Sequence, residues 1–255
     1  SFAGVCIFWL IPYVDVIRRS FCGAVNGEFV GIENYRTIFA NKAFRLAAGN
    51  TLRFFGVCVP LLVVLSLIIA VLLAGQKRFT QILKSFFLLP MAIPVASVVL
   101  LWRLLFDDQG LLNHLLHMLS VQTTDWMNTG ASFYVLVISY IWRNLGYDVV
   151  LWMAGLSAIP AALYEAAKVD GATRMQLIWN ITIPSLLPTY FVLLMLNIAN
   201  FLSNGMEQYY VFQNAFNMDT IQVLDLYVYN LAMGSGSYSV STALSMLKSL
   251  ISVVL

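Results

Sequence analysis

The chain has 255 residues, of which 60% are hydrophobic and only 10% charged, with a mean hydropathy of +0.82, so it has too few polar groups to coat a water-soluble globule of its size. Its surface is expected to face lipid. A net charge of +2, from 14 basic and 12 acidic residues with no basic run of five or more, excludes a nucleic-acid binder.

A helix that crosses about 30 Å of hydrocarbon needs about 20 mostly apolar residues. The first such segment covers residues 2–21, with a retained signal anchor as the alternative. The chain opens inside this apolar run, without an initiating Met or a cationic leader, and reads as a trimmed fragment. Residues 1–48 are expected to form this helix and an extracytoplasmic loop, ahead of a core over 49–255. Further spans fall at 52–74, 86–106, 133–155 and 186–203. A sixth begins at Ser241 and stops fifteen residues later at Leu255, roughly 22 Å of helix, so its end is expected to be missing. The expected fold is an all-α integral membrane protein with six transmembrane helices. Pro90 and Pro94 lie in the third span, where each removes a backbone donor and bends the helix.

Basic residues suggest an orientation. Lys77, Arg78 and Lys84 follow span two, and Lys168 and Arg174 follow span four. Arg18, Arg19, Arg36, Lys42, Arg45 and Arg53 surround the first loop, whereas 107–131 and 204–240 hold no Lys or Arg. Density in short loops outweighs totals in long ones, so the loops after spans two and four are read as cytoplasmic.

The second of those loops contains Glu165 to Pro184, EAAKVDGATRMQLIWNITIP. Pro160 suits the first turn of a helix over Ala161–Val169, which Asp170 and Gly171 break. Gly171 can take the left-handed conformation that closes a helix, and Asp170 can cap a second one over Ala172–Asn180, which Pro184 ends before Pro188 marks entry to span five. Ala166, Ala167 and Ala172 are small enough to let another surface approach, and Glu165 and Asp170 offer it carboxylates. The other reading is an interfacial amphipathic hairpin with Glu165 paired to Lys168.

Polar side chains inside spans are costly, so they face a bundle interior or a watered cavity. In span four Tyr140, Asn144, Tyr147 and Asp148 share a helical face with Arg143 beside it. Arg143 and Asp148 are expected to pair with other helices rather than with each other. In span five Asn197, Asn200 and Asn204 lead on to Glu207 and Gln208. In span six Ser241, Ser245, Lys248 and Ser252 repeat the pattern. These stripes, with Trp142, Tyr209 and Tyr210 nearby, could supply donors, acceptors and aromatic faces for sugar hydroxyls, or they could be interhelical hydrogen bonds that hold the bundle. Cys6, Cys22 and Cys58 have no CxxC spacing and read as packed thiols. His114 and His117 lack a third ligand, so no metal is expected. Walker A, GxSxG and HExxH patterns are absent.

The run EAA, then DGA, then I-x-x-x-I-x-P resembles the EAA signature of permeases of bacterial ABC importers, with Glu165, Ala166, Ala167, Asp170, Gly171, Ala172, Ile181 and Pro184 in place and Ile178 where Phe is common. GIENYRTIF with a downstream NTLRF, FFLLPMAIP with LWRLLF, GLLNHLL, and WRNLGYDVVLWMAGLSAIPAALYEAAKVDGA resemble carbohydrate-uptake permeases of the maltose and glycerol-phosphate type. VLDLYVYNLAMGSGSYSVSTALSMLKS is similar to permeases for oligosaccharides or polysaccharide fragments. The resemblance implies a non-catalytic, multi-pass subunit of a bacterial cell membrane, with a cytoplasmic coupling loop at 157–184 and a carbohydrate substrate. It implies as partners a second, different permease chain, an ATPase dimer that binds the ATP and Mg, and an extracytoplasmic solute-binding protein; this chain itself would hold no cofactor. It also implies alternating access. Two rivals fit less well: an ion-coupled secondary transporter would want more midplane carboxylates than Asp148, and a polytopic membrane enzyme would want a larger cluster than Asp107 with Asp108.

Overall fold

A computed structural model describes residues 2–23, 27–74, 80–203 and 206–254. Lys77, Arg78 and Asn204 lie outside the described residues. In chain order the helices are α1 (Phe2–Val5), α2 (Ile11–Ser20), α3 (Glu33–Ala40), α4 (Lys42–Ala74), α5 (Thr80–Ala92), α6 (Val95–Phe106), α7 (Leu111–Met118), α8 (Ser132–Ala158), α9 (Ala161–Val169), α10 (Arg174–Leu177), α11 (Ile183–Ser185), α12 (Leu187–Ser203), α13 (Met206–Phe212), α14 (Met218–Ile221), α15 (Leu224–Met233) and α16 (Tyr238–Val254). π-helical stretches join α1 to α2 at Cys6–Leu10 and α10 to α11 at Ile178–Thr182. Among the described residues extended pairing is confined to an isolated bridge between Cys22 and Phe29. The all-helical expectation holds.

The prolines account for most departures from straight helix. Pro94 precedes α6 in an extended conformation, φ −54° and ψ 137°, and disfavours helix at the residue before it. The two arms about this break, Ser85–Ala92 and Val95–Met118, are bent by 100°. Pro90 instead stays inside α5. Pro12 and Pro184 each follow a π stretch, in which the N–H of Ile11 reaches the carbonyl of Cys6 and that of Ile183 reaches Ile178. The wider turn accommodates a ring that would otherwise press on the carbonyl four residues back. Pro184 therefore does not end a helix as expected, and the helical run continues through it to Ser185.

Among the described residues, α4 alone is long and apolar enough to cross a membrane unaided. Counting each pair of helices bent across a short break as one span gives up to four among the described residues. The first and sixth expected spans fall on α1–α2 and α16. α4 starts at Lys42 rather than 52, because the polar turn that carries Asn50 and Thr51 is helical and anchors distant backbone.

The chain divides into two compact units, Ser1–Arg53 with Asn200–Leu255, and Phe54–Ala199. In the second unit, Val59, Val63, Ala70 and Leu73 of α4 pack with Val149, Trp152 and Met153 of α8 and with Leu186 and Leu193. Buried Trp152 donates its indole N–H to Ser66 Oγ at 3.0 Å, which satisfies a polar atom that would be costly alone. α5 crosses α8 at Gly146, where an added Cβ would lie 2.0 Å from the carbonyl oxygen of Phe87. Only glycine allows that backbone approach. In the first unit the core is Ile38, Ala47, Tyr227, Ala243 and Leu244, and α2, α3 and α15 each pack on α16.

Candidate functional site

The chain between α8 and α12 forms an exposed elbow. α9 has good helix formers and buries no residue. It ends in a pair of reversed hydrogen bonds: Gly171 N–H donates to Lys168 O at 3.1 Å, and Ala172 N–H to Ala167 O at 2.9 Å. These are the two bonds of a Schellman cap, and they require the left-handed φ of +78° at Gly171. Gly171 thus does what its position in the motif suggests. Asp170 does not cap the second helix. That role belongs to Thr173, whose Oγ1 accepts from Gln176 N–H at 3.4 Å while Gln176 Oε1 accepts from Thr173 N–H at 2.8 Å. The cap at Ala172 leaves the chain non-helical until this box begins, so the second arm starts at Arg174 rather than Ala172.

Glu165, Ala166, Asp170, Gly171 and Pro184 are exposed, and Ala167 and Ala172 are half-buried. Glu165 and Lys168 form no ion pair among the described residues. Val169 stands 87% exposed beside the turn, and Leu163 and Met175, near it in sequence, are exposed as well, three bare apolar side chains around a charged turn. Beneath it the hydroxyls of Tyr164 and Thr182 hydrogen-bond at 2.9 Å, joining α9 to the π stretch. Thr182 is buried and its Oγ1 also donates to Leu177 O at 3.3 Å. The elbow is thereby a braced unit rather than two hinged helices. The capping box was readable as Thr173-Arg174-Met175-Gln176. No linear pattern connects Tyr164 to Thr182, because only the reversal of the chain brings them together.

The polar stripes have mixed settings. Asp148 and Asn197 are buried together: Asn197 Nδ2 donates to Asp148 Oδ2 at 2.8 Å and to Leu193 O at 3.0 Å, linking α8 to α12. Tyr140 is buried, and its carbonyl accepts from Asn144 Nδ2 at 2.8 Å. Arg143, Asn144 and Tyr147 are half-buried, and Arg143 Nε is buried without a hydrogen-bond partner. No ion pair joins Arg143 to Asp148 among the described residues. Asn200 and Glu207 are exposed. On α16, Ser241, Ser245 and Ser249 donate to carbonyls of their own helix. Lys248 forms an ion pair with Asp225 of α15. Burial raises the Asp225 carboxyl above the usual carboxylate range, and the hydrogen bond and charge of Lys248 oppose the rise.

The segment over 206–240, expected to be a loop, is largely helical and is tied down by distant amides. Asn50 Nδ2 donates to Asp219 O at 2.9 Å and to Gln222 O at 3.1 Å. Thr51 Oγ1 accepts from Leu224 N–H at 2.9 Å and so caps the first turn of α15 from another helix. Asn34 binds the carbonyls of Ser20 and Cys22 at 2.8 and 2.9 Å, and Tyr35 OH reaches Ser20 Oγ at 2.9 Å. The motifs around GIENY and NTLRF are therefore anchors for helix ends. Cys6, Cys22 and Cys58 are free thiols, and no metal-ligating cluster occurs among the described residues.

An all-helical apolar chain, broken at prolines and interrupted by a braced and exposed elbow, has the form of a membrane transport subunit. The chain belongs to the family of binding-protein-dependent transport system inner membrane components, whose model matches residues 63–255. It is a permease subunit of an ABC importer, a non-catalytic component. It is 30% identical over 263 residues to the polygalacturonan/rhamnogalacturonan transport system permease protein YteP of Bacillus subtilis (strain 168), covering 98% of this chain and 82% of that protein. The trehalose/maltose transport system permease protein MalF of Thermococcus litoralis (strain ATCC 51850 / DSM 5473 / JCM 8560 / NS-C) is 32% identical, covering 95% of this chain and 84% of the relative. A bacterial alginate ABC transporter, solved in complex with an alginate pentasaccharide-bound periplasmic protein, contains a chain of the same fold, with TM-score 0.90 and 24% identity over 99% of this chain and 87% of that one.

Proposed function

We propose that the chain is a six-span permease of a bacterial cell membrane that forms, with a second and different permease, the path for a sugar or oligosaccharide. The relatives belong to polygalacturonan/rhamnogalacturonan and trehalose/maltose transport systems, and that supports this substrate class. The elbow within 157–184 is read as the cytoplasmic coupling loop and 49–255 as the permease core. An ATPase dimer binds the ATP and Mg and docks at Glu165, Ala166, Ala167, Asp170, Gly171, Ala172 and Pro184, and an extracytoplasmic solute-binding protein delivers substrate. The chain itself needs no cofactor.

The observation that carries this reading is the exposed elbow, with bare apolar side chains around its turn, braced to the next helix by Tyr164 and Thr182. A push on a braced elbow is delivered to the start of α12 rather than lost in a hinge. The buried contact of Asn197 with Asp148 then makes α8 follow α12, and Trp152 with Ser66 links α8 to α4. Helices that carry Tyr140, Arg143, Asn144, Tyr147, Asp148, Asn197 and Asn200 move together, which is what alternating access asks of a bistable bundle. Asn204, Glu207 and Lys248 complete the proposed path.

Gly171→Val tests it. A β-branched residue at positive φ costs about 1–3 kcal/mol and opens the cap. The assembled importer is expected to lose uptake and ATPase association while the permease pair still purifies intact. Undiminished uptake in that complex would overturn the coupling role.

A further inference from the structure

At the end of α6 lies an open cleft of about 430 Å³, lined by Leu100, Arg103, Leu104, Asp107, Met127 and Asn128. The first four recur at intervals of three, one and three residues and so form one face of the helix. Leu100 and Leu104 are 60% and 69% exposed, an apolar row on a helix of a membrane protein. Arg103, between the two leucines, and Asp107, which caps α6, stand one turn apart on the same face. The far wall is built rather than loose. Asp125 Oδ1 accepts from the N–H groups of Met127 and Asn128 at 3.2 and 2.9 Å. Buried Asn113 donates to the carbonyls of Asp108 and Thr124 at 3.2 and 2.9 Å and accepts from Trp126 Nε1 at 3.1 Å.

The surroundings mark this level as a membrane–water boundary. Phe106 stacks on Trp102 at 5.5 Å and meets Trp126 edge-on at 5.8 Å, the kind of aromatic grouping found at lipid headgroup depth. On α7, Leu111, Leu115 and Met118 expose one apolar stripe, while Asn113 is turned inward, as in a helix that lies on a bilayer.

From this arrangement we propose that the cleft binds one phospholipid that carries a primary amine, with acyl chains along Leu100 and Leu104. The Arg103 guanidinium holds the phosphate, a geometry that arginine satisfies with paired donors. The Asp107 carboxylate and the Asn128 side chain take the ammonium. Side chains one turn apart are separated by about 5–6 Å at Cβ, a spacing that a two-carbon link between phosphate and amine can bridge. A choline headgroup offers no N–H to Asp107, and a glycerol headgroup offers it no positive charge. The site depends on the chain being a membrane subunit and is independent of the elbow's role.

The test is to reconstitute the assembled importer in nanodiscs of equal phosphatidylethanolamine, phosphatidylcholine and phosphatidylglycerol. The lipid retained after mild detergent extraction is then counted by mass spectrometry. About 1 kcal/mol from one interfacial charge corresponds to about five-fold enrichment of phosphatidylethanolamine over phosphatidylcholine. Asp107→Asn should bring that ratio to unity with the melting temperature unchanged, and Arg103→Gln should reduce retention of all three lipids. Equal retention of phosphatidylethanolamine and phosphatidylcholine by the unaltered importer overturns the proposal, as does preference for phosphatidylglycerol. So does protection of Asn128→Cys from thiol reagents in the delipidated complex, made with Cys6 and Cys22 changed to serine, because a protein subunit would then cover the cleft.

Discussion

Two stretches separate long helices of this chain, and they are held in different ways. The elbow, from α9 to α11, closes on itself: a Schellman cap, a capping box and a brace between residues 164 and 182 all lie within about twenty residues of sequence. The segment over 206–240 has local bonds of its own at Asn214, Asn217 and Asn230, but it is also held from far away, by Asn50 and Thr51 on α4 and by Lys248 on α16. On the coupling role proposed above, a segment that meets another protein keeps its shape by its own hydrogen bonds, and its surface is left for the partner. The second segment adds borrowed hydrogen bonds from other helices to its own, and its shape depends on both.

The largest expected effect breaks the long-range side of that contrast. Lys248→Met leaves the half-buried Asp225 beside no cation, a loss of about 3 kcal/mol, the low end for a buried pair because the side chains keep 21% and 14% exposure. The Asp225 carboxyl is already raised by burial, and without the opposing lysine it rises further. A carboxyl raised above its unfolded value holds more protons when folded, so stability falls as pH climbs through that interval. Thermal melts of the variant should therefore show its deficit greatest at neutral pH and shrinking on acidification. A deficit independent of pH would mean that the pair carries little of the packing.

Asn50→Leu comes next. It strands the carbonyl of Gln222, whose bond to Asn50 is buried, at about 1–3 kcal/mol, while that of the exposed Asp219 can turn to solvent. Hydrogen exchange should quicken across 217–226 and stay unchanged across 161–177. Equal quickening in both would erase the distinction between self-closed and borrowed structure. Tyr164→Phe removes one hydroxyl bond, about 1 kcal/mol. Here the melt should barely move, whereas uptake per ATP hydrolysed should drop. Thr173→Ala is expected to cost about 1 kcal/mol of helix start, with faster exchange confined to residues 174–177. Spread of that effect to 206–240 would contradict the picture of an elbow that closes locally.

The same contrast explains what the sequence made legible. Composition and the spacing of Glu165, Asp170 and Gly171 pointed to a helical membrane chain with an elbow, because a cap at positive φ and an alanine-rich helix are local choices of the backbone. The capping residue was misassigned to Asp170 because Asp and Thr both cap well, and only the Schellman closure at Ala172 moves the second start to Arg174. Pro184 was read as a stop, since linear rules do not foresee a π turn that absorbs a proline. The helical nature of 206–240 was missed for a deeper reason. Its terminal N–H and C=O groups are satisfied by Asn50 and Thr51, whose distance in sequence is well over a hundred residues. The buried bond between Asp148 and Asn197 was visible only as two polar residues in separate spans, each of them equally suited to line a path.

The π stretch at Ile178–Thr182 also bears on how this chain tolerates changes in length. A π turn holds a surplus residue relative to the α-helix around it, and each residue turns an α-helix by about 100°. Removing one residue between Leu177 and Ile183, together with Pro184→Ala so that no ring presses on the tightened turn, would restore ordinary helix there while Arg174 and Leu193 keep their facing sides. The same deletion in the middle of α12 would turn Asn197 away from Asp148. The bulge therefore works like a slack link in a chain, a point where evolution or design can take up length without re-aiming what lies on either side.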